Sequence, residues 1–258
     1  VKNTIGFLIS LELTQYAQSN LQRIAVVIPA FNEGDRVGRV VECISRKLVN
    51  DIIVVDDHST DATAEESIRN GATRVIPCDF HGVGAAIKTG YWNALKRGAD
   101  VVVVVAGDGQ HDPREIPRIL EPILNGSADY VAGDRLNGSL HETDMTTFRY
   151  VGNRMLSLLT RILTGLDVKD SQCGFTAITR EALEKIDLDW ITNKWGVPND
   201  ILFECASQRL RVKYVSVKAY RGERRSYIRI YSYIPRMVFV LLRGRLRLAR
   251  SRKKNVNN

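Results

Sequence analysis

Two carboxylate clusters are the parts of this sequence best suited to chemistry: the adjacent pair Asp56-Asp57 and a lone acid between glycines, Gly107-Asp108-Gly109. Each follows a run of β-branched residues, Ile52–Val55 before the first and Val101–Val105 before the second. A carboxylate after a buried strand emerges at the rim of a sheet, and flanking glycines let backbone and ligand approach closely. Mg2+ and Mn2+ prefer carboxylate, carbonyl and water oxygens and commonly bridge to ligand phosphates. Asp108 is therefore the leading candidate for a metal ligand. Gln110 offers a neutral carbonyl oxygen two positions on, hence on the same side of an extended chain. Taken alone, Gly-Asp-Gly reads as a turn that reverses the chain, and only the surrounding residues argue for more. The two acids Asp56 and Asp57 repel, so a cation or hydrogen-bond donors must offset them; ribose hydroxyls or base N–H groups suit Asp57, while Asp56 ties down the loop. Ser59, Thr60 and Asp61 read as caps of the next helix.

These acids need a scaffold that brings them to one rim. Ile24–Ile28, Ile52–Val55, Arg74–Ile76 and Val101–Val105 read as strands, the first and last as strands buried on both faces. Between them lie helical segments at 35–48, 61–70 and 84–97, the last stopped by Gly98. This alternation predicts a largely parallel α/β sheet with helices on both faces, whose ligands collect outside the carboxyl ends of the strands. Farther on, the sequence predicts strands at 130–132 and 212–217 and a helix at 153–163. Gly82-Val83-Gly84-Ala85-Ala86-Ile87-Lys88 lacks the Gly-Lys-Ser/Thr ending of a phosphate loop and reads as small residues packing a helix on the sheet. The turn after the first strand, Pro29-Ala30-Phe31-Asn32-Glu33, is no dinucleotide fingerprint, which argues against an oxidoreductase.

The 258 residues, 44% hydrophobic and 26% charged, suit one large domain with appendages. Four dispersed cysteines (Cys43, Cys78, Cys173, Cys205) suit a reducing compartment. The histidines His58, His81, His111 and His141 are equally scattered, so any metal is expected on oxygen ligands. The net charge of +8 comes from one end: from Arg209 onward there are sixteen Lys/Arg against Glu223 alone, while residues 1–208 are net acidic. No stretch reaches the roughly 18–20 apolar residues of a membrane span.

In chain order, Val27–Glu33, Val54–Asp61, Asp108-Gly109-Gln110-His111-Asp112-Pro113, Asp170-Ser171-Gln172-Cys173-Gly174-Phe175 and Asn199-Asp200 resemble the inverting family 2 glycosyltransferases, in particular the polyprenyl-phosphate (dolichol-phosphate) mannose and glucose synthases. The resemblance spans about 24–229. It implies a GT-A fold, a single Rossmann-like domain, a UDP- or GDP-linked sugar donor, Mg2+ or Mn2+, and a polyprenyl or dolichyl phosphate acceptor. By position, Pro29, Phe31, Glu33, Val55 and Asp57 hold the nucleotide, with Ala106, Gly107 and Asp108 at the donor. Asp108 and Gln110 hold metal and diphosphate, Arg135 and Arg149 bind phosphates of donor or acceptor, and Asp170 shapes the sugar or acceptor pocket and is the weak candidate for a base. Family members often carry Asp-x-Asp where this chain has Ala106-Gly107-Asp108, which leaves a one-carboxylate site. A basic closing motif corresponds loosely to Tyr220–Ser226, where Arg221, Arg224 or Arg225 contacts the diphosphate. The Gln-x-x-Arg-Trp motif of processive synthases is absent, so a single transfer is expected.

A lipid acceptor gives the basic end a purpose. The chain divides into an N-terminal extension (1–23), the GT-A domain (24–230) and a basic amphipathic tail (231–258), which is expected to attach the protein peripherally to the cytoplasmic face of a membrane; nucleic acid is not an expected partner. Two other readings stay open: a glycosyltransferase with another glycan or a protein as acceptor, and a non-catalytic membrane-associated adaptor that binds nucleotide-sugar.

Overall fold

The structure is a computed structural model and describes residues 22–137, 145–218, 220 and 230–256. Strands β1 (Ile24–Ala30), β2 (Asp51–Asp56), β3 (Arg74–Pro77) and β4 (Val101–Val104) alternate with helices α1 (Val37–Glu42), α2 (Thr63–Arg69) and α3 (Val83–Lys96). After β4 come α4 (Ile116–Leu124), β5 (Tyr130–Asp134), α5 (Thr147–Thr164), β6 (Thr176–Thr179), α6 (Arg180–Lys185), α7 (Val197–Ser207), β7 (Val212–Ser216) and α8 (Ile230–Val256). The strands form one sheet in the order β3-β2-β1-β4-β6-β5-β7. Neighbours run parallel except at β6, which is antiparallel to both β4 and β5.

Why the first half was readable from sequence is clear from its two faces. Ile24, Val26 and Ile28 of β1 face one apolar layer with Val37, Val40 and Val41 of α1 and Ile119 and Leu120 of α4. Ala25 and Val27 face the other, with Ala86, Tyr91 and Ala94 of α3 and Ile201 and Leu202 of α7. A strand covered on both sides shows a continuous apolar run rather than alternation. Strand β6, by contrast, is Thr-Ala-Ile-Thr. Nothing in that tetrapeptide marks a central strand, and it enters the sheet between β4 and β5 in the reverse direction after the long connection that carries α5.

Helix α3 lies close on the sheet because it is built of small residues, as its sequence suggested. A Cβ on Gly90 would fall inside the van der Waals shell of Val27, and one on Gly84 would strike the Thr192 carbonyl. At the far end, α8 begins where the tail was expected, but it does not stand apart from the domain. Gly244 lets it cross Phe203 of α7, and Leu241 and Leu248 close a small apolar cluster there.

Helix α5 is built inside out. Its buried positions are Asn153, Ser157, Thr160 and Thr164, while Phe148, Val151, Met155, Leu158, Leu159 and Ile162 are exposed. The polar face is satisfied internally: Ser157 Oγ donates to the Asn153 carbonyl (2.7 Å) and accepts from the Ser171 amide (2.9 Å), and Asn199 Nδ2 donates to Thr160 Oγ1 (2.8 Å). Helix α8 adds a second exposed apolar row, Ile234, Val238, Phe239, Leu242 and Leu246.

The close approach of α3 to β1 is testable. Gly90→Ala improves helix propensity yet is expected to destabilise the domain by about 1–3 kcal/mol through overpacking against Val27. A raised urea midpoint for the variant would contradict this packing.

Candidate active site

The order of strands reverses between β1 and β4, the place where open α/β sheets bind ligands. The loops after β1, β2 and β4 meet there and are tied together. Asn32 N–H donates to Ser59 Oγ (2.9 Å), Glu33 N–H to Thr63 Oγ1 (2.8 Å), and Thr60 N–H to Asn32 Oδ1 (2.8 Å). Asp56 accepts from the Ser59 amide (3.1 Å), the loop-tying role read from sequence. Asn32 and His58 both have positive φ, a conformation unusual outside glycine.

Asp108 emerges beyond β4. One of its oxygens accepts the Gln110 amide at 3.0 Å, closing a tight turn. Burial pushes its pKa up, and the turn N–H together with the fields of Arg36, Arg149 and Arg135 pulls it back. Among the described residues it has no ion-pair partner. Gln110 Oε1 accepts from Arg149 Nη2 at 3.3 Å, and the Gln110 carbonyl takes the Tyr220 amide at 3.1 Å. Burial and the neighbouring Arg135 charge lower the Arg149 pKa. A half-buried carboxylate without an ion pair among the described residues and an amide oxygen that accepts a long bond from Arg149 form an oxygen donor set that fits one hard divalent ion.

Arg135 and Asp170 form a forked ion pair in the interior. Arg135 Nε lies 2.7 Å and Nη2 3.0 Å from the two carboxylate oxygens, and both residues are buried. Asp170 also accepts the Gln172 amide at 3.0 Å. Its neighbours continue the network: Gln172 Nε2 donates to Asn199 Oδ1 (2.8 Å), and the Tyr233 hydroxyl of α8 donates to Gln172 Oε1 (2.5 Å). The Arg135 fork, expected at a ligand phosphate, is thus occupied within the protein. Beside it, His111 lies against Phe175 with ring centroids 5.5 Å apart. Burial, helped by the Arg135 charge, pushes its pKa down to about 3, so it is neutral at physiological pH.

At the β2 rim, Asp57 is oriented by the Gly82 amide, which donates to Oδ2 at 2.9 Å. Its other oxygen faces two imidazoles, His81 Nδ1 at 3.3 Å and His58 Nδ1 at 3.5 Å, whose ring centroids stand 4.1 Å apart with the planes tilted by 39°. Phe31 meets His81 edge-on at 6.5 Å. The sequence separation of His58 and His81 concealed this cluster, although His58 stands inside the quoted motif.

Other sequence-nominated residues fall around the same rim. Pro29 and Val55 are register partners, and the Val55 side chain lies wholly in the core, leaving its backbone as the available surface. Glu33 is buried against Arg36 in an ion pair. Ala106 and Gly107 line the approach to Asp108, and the Gly107 amide bonds to the Pro29 carbonyl at 3.2 Å. Arg221, Arg224 and Arg225 lie outside the described residues. Asp200, from the Asn-Asp motif, is sealed inside: it accepts the Thr192 amide (2.9 Å) and pairs with Arg243 of α8. One turn along, Arg247 pairs with Glu204 (2.6 Å) and Asp187 (2.9 Å). Both arginines lie over the Trp190 ring at about 4.5 Å, as the centroid distances of 4.5 and 4.6 Å show.

Comparison with known proteins places the chain in a family and a fold. Residues 25–187 match the family described as glycosyl transferase family 2. The chain is 32% identical to the UDP-N-acetylglucosamine–dolichyl-phosphate N-acetylglucosaminyltransferase of Methanococcus voltae, covering 76% of this chain and 84% of that protein. It is 31% identical to the undecaprenyl-phosphate mannosyltransferase of Micrococcus luteus, covering 76% and 82% respectively. Among solved structures, the UDP complex of glucosyl-3-phosphoglycerate synthase from Mycobacterium tuberculosis superposes with a TM-score of 0.72 at 23% identity, covering 91% of this chain and 83% of that one. The same synthase has been seen with Mn2+, UDP-glucose and phosphoglyceric acid (TM-score 0.71). These likenesses identify the fold as GT-A.

The Asp200 latch has a pH signature. Burial pushes its pKa up to about 6 despite Arg243, above the unfolded value of about 3.9. The folded state therefore binds the proton more tightly, and this contribution to stability is complete below about pH 4 and lost as pH rises through about 6. The stability of wild type relative to Asp200→Asn is expected to rise by on the order of 2–3 kcal/mol between pH 7 and pH 4. Parallel pH profiles of the two unfolding free energies would refute the assignment.

Proposed function

The chain belongs to glycosyl transferase family 2, and from that membership we propose that it moves one sugar, with inversion, from a UDP- or GDP-linked donor to a polyprenyl or dolichyl phosphate at a membrane surface. One observation carries the acceptor class. Arg149, the cation in contact with Gln110, stands in the first turn of α5, whose outward face continues with Val151, Met155, Leu158, Leu159 and Ile162 beside the exposed Arg154 and Arg161. A phosphate ligand at the head of an exposed apolar helix suits an acceptor that is anionic at one end and hydrocarbon at the other. The names of the relatives from Methanococcus voltae and Micrococcus luteus support the same class.

In this reading Asp57 and the backbone at Pro29 and Val55 receive the nucleotide, Phe31 lends an aromatic edge, and Glu33 fixes the loop through Arg36. Asp108 and Gln110 would hold Mg2+ or Mn2+, which when bound would neutralise charge gathering on the departing nucleoside diphosphate. Arg149 offers a guanidinium to donor or acceptor phosphate, with Arg221 assigned to the diphosphate. Arg135 contributes a fixed positive field rather than a contact, because Asp170 holds its fork. An acceptor phosphate is already anionic and attacks without a strong base. That agrees with the carboxylates nearby: Asp170 is held by Arg135 and Asp200 by Arg243, and neither is free to take a proton from an acceptor.

Membrane attachment follows from the paired apolar rows of α5 and α8 with their flanking arginines. No described helix is long and apolar enough to cross a membrane. Each basic residue near an anionic surface adds roughly 1 kcal/mol, and the exposed leucines and phenylalanines supply insertion. In a flotation assay with anionic vesicles, Leu158→Glu combined with Phe239→Glu is expected to release the protein to the soluble fraction without lowering its thermal midpoint, since both positions are exposed. Undiminished vesicle binding of this variant would exclude the two helices as the attachment surface.

Turnover is tested with radiolabelled UDP-N-acetylglucosamine, UDP-glucose and GDP-mannose, each with a polyprenyl phosphate and Mg2+ or Mn2+. A lipid-linked monosaccharide is expected from one donor, with Asp108→Ala and Arg149→Ala each slower by roughly 100-fold or more. Sugar transfer to phosphoglycerate but not to the lipid would overturn the acceptor.

A further inference from the structure

We propose that Asp57, His58 and His81 form a binding site for a borderline-soft divalent ion of the zinc class, separate from the oxygen site at Asp108. One ligand atom from each of the three residues lies within 4.8 Å of the other two. Their spacing is informative. A charge-assisted imidazole–carboxylate hydrogen bond closes to about 2.7–2.9 Å, whereas His81 and His58 stop at 3.3 and 3.5 Å from the same oxygen. Ligands bound at about 2.0–2.1 Å in a tetrahedron stand roughly 3.3 Å apart along each edge. The two carboxylate–imidazole edges thus match the edge length of a metal site and are longer than a close charge-assisted hydrogen bond.

The supporting contacts point the same way. The Gly82 amide fixes Oδ2 and so aims Oδ1 at both rings. Gly82 itself has a φ of 125°, and the Asn193 carbonyl occupies the space a Cβ would need, so only glycine serves there. His58 is held at a φ of 62°, and such strained backbone concentrates where a side chain must be aimed. The two ring centroids stand 4.1 Å apart with the planes tilted by 39°, so both rings lie beside the same carboxylate. Two imidazoles and a carboxylate leave a fourth tetrahedral position open to water or ligand. Such a donor set favours zinc or cobalt over magnesium, which prefers oxygen throughout.

One consequence rests on the reading given under the proposed function, where Asp57 receives the donor nucleotide: the ion and the nucleotide contend for the same carboxylate. Occupancy of this site therefore restrains donor binding, while Mg2+ or Mn2+ at Asp108 promotes it.

The test uses the full, tag-free chain in excess Mg2+, titrated with Co2+ and followed by its visible ligand-field absorption, with Zn2+ as competitor. One equivalent with tetrahedral absorption is expected, displaced by Zn2+. His81→Ala and His58→Ala should each weaken binding by roughly 100-fold or more, while Cys43→Ser, which removes the one exposed cysteine among the described residues, should leave it unchanged. Both histidines are exposed, and an unaltered circular-dichroism melt serves as the folding control. Absent tetrahedral absorption, or affinity indifferent to the histidine changes, overturns the site. UDP added to the Co2+ complex is expected to reduce the absorption. A stable spectrum under saturating UDP would uphold the metal site and count instead against Asp57 as the nucleotide ligand.

Discussion

The Arg135–Asp170 pair stands at the electrostatic centre of this molecule. It joins the end of β5 to the segment leading into β6, two stretches whose strands run in opposite directions. Breaking such a buried pair by removing one member typically costs about 3–5 kcal/mol, because the other charge is stranded. Its geometry is therefore a condition for the site as well as for the fold. The positive end of the pair lowers the pKa of Arg149 and, behind burial, that of His111, and it draws down that of Asp108. The proposed diphosphate donor and phosphate acceptor would need a positive field that does not collapse when ligands leave, and a guanidinium locked to an internal carboxylate supplies one.

Helix α5 translates that polar centre to the surface. The buried Ser157, Thr160 and Thr164 hydroxyls close onto backbone carbonyls within the helix, and the same stripe bonds to Ser171 and Asn199. Burying hydroxyls costs little once each is satisfied, so the helix can turn its polar stripe inward. The apolar stripe is left outside, contiguous with a phosphate-ready arginine at the helix head. Exposed apolar surface of this extent marks a docking face, and the lipid phosphate proposed as acceptor would account for both ends of the helix at once.

The basic C-terminal helix divides its charge between two tasks. Arg243 and Arg247 are spent on buried or half-buried carboxylates and on the face of Trp190. Those contacts anchor α8 along α7 and seal Asp200 from solvent. The net charge of the tail therefore overstates what it leaves for the membrane attachment proposed above, which the exposed row from Ile234 to Leu246 would share.

The sequence by itself determined the parallel half of the sheet, because strands covered on both faces leave continuous β-branched runs, and it determined the rim acids that follow them. Asp56 as a loop tie, the small residues of α3, and Asp108 with Gln110 beyond β4 were all legible from local pattern and motif order. What only the tertiary structure decided are pairings between distant segments. The 35 residues between Arg135 and Asp170 and the 43 between Asp200 and Arg243 carry no local signal of contact. The same holds for His58 and His81, which looked scattered along the chain and meet at Asp57. The inward polar face of α5 shows the limit most plainly: periodicity reveals that a helix has two faces, but which face is buried depends on what the rest of the fold presents to it.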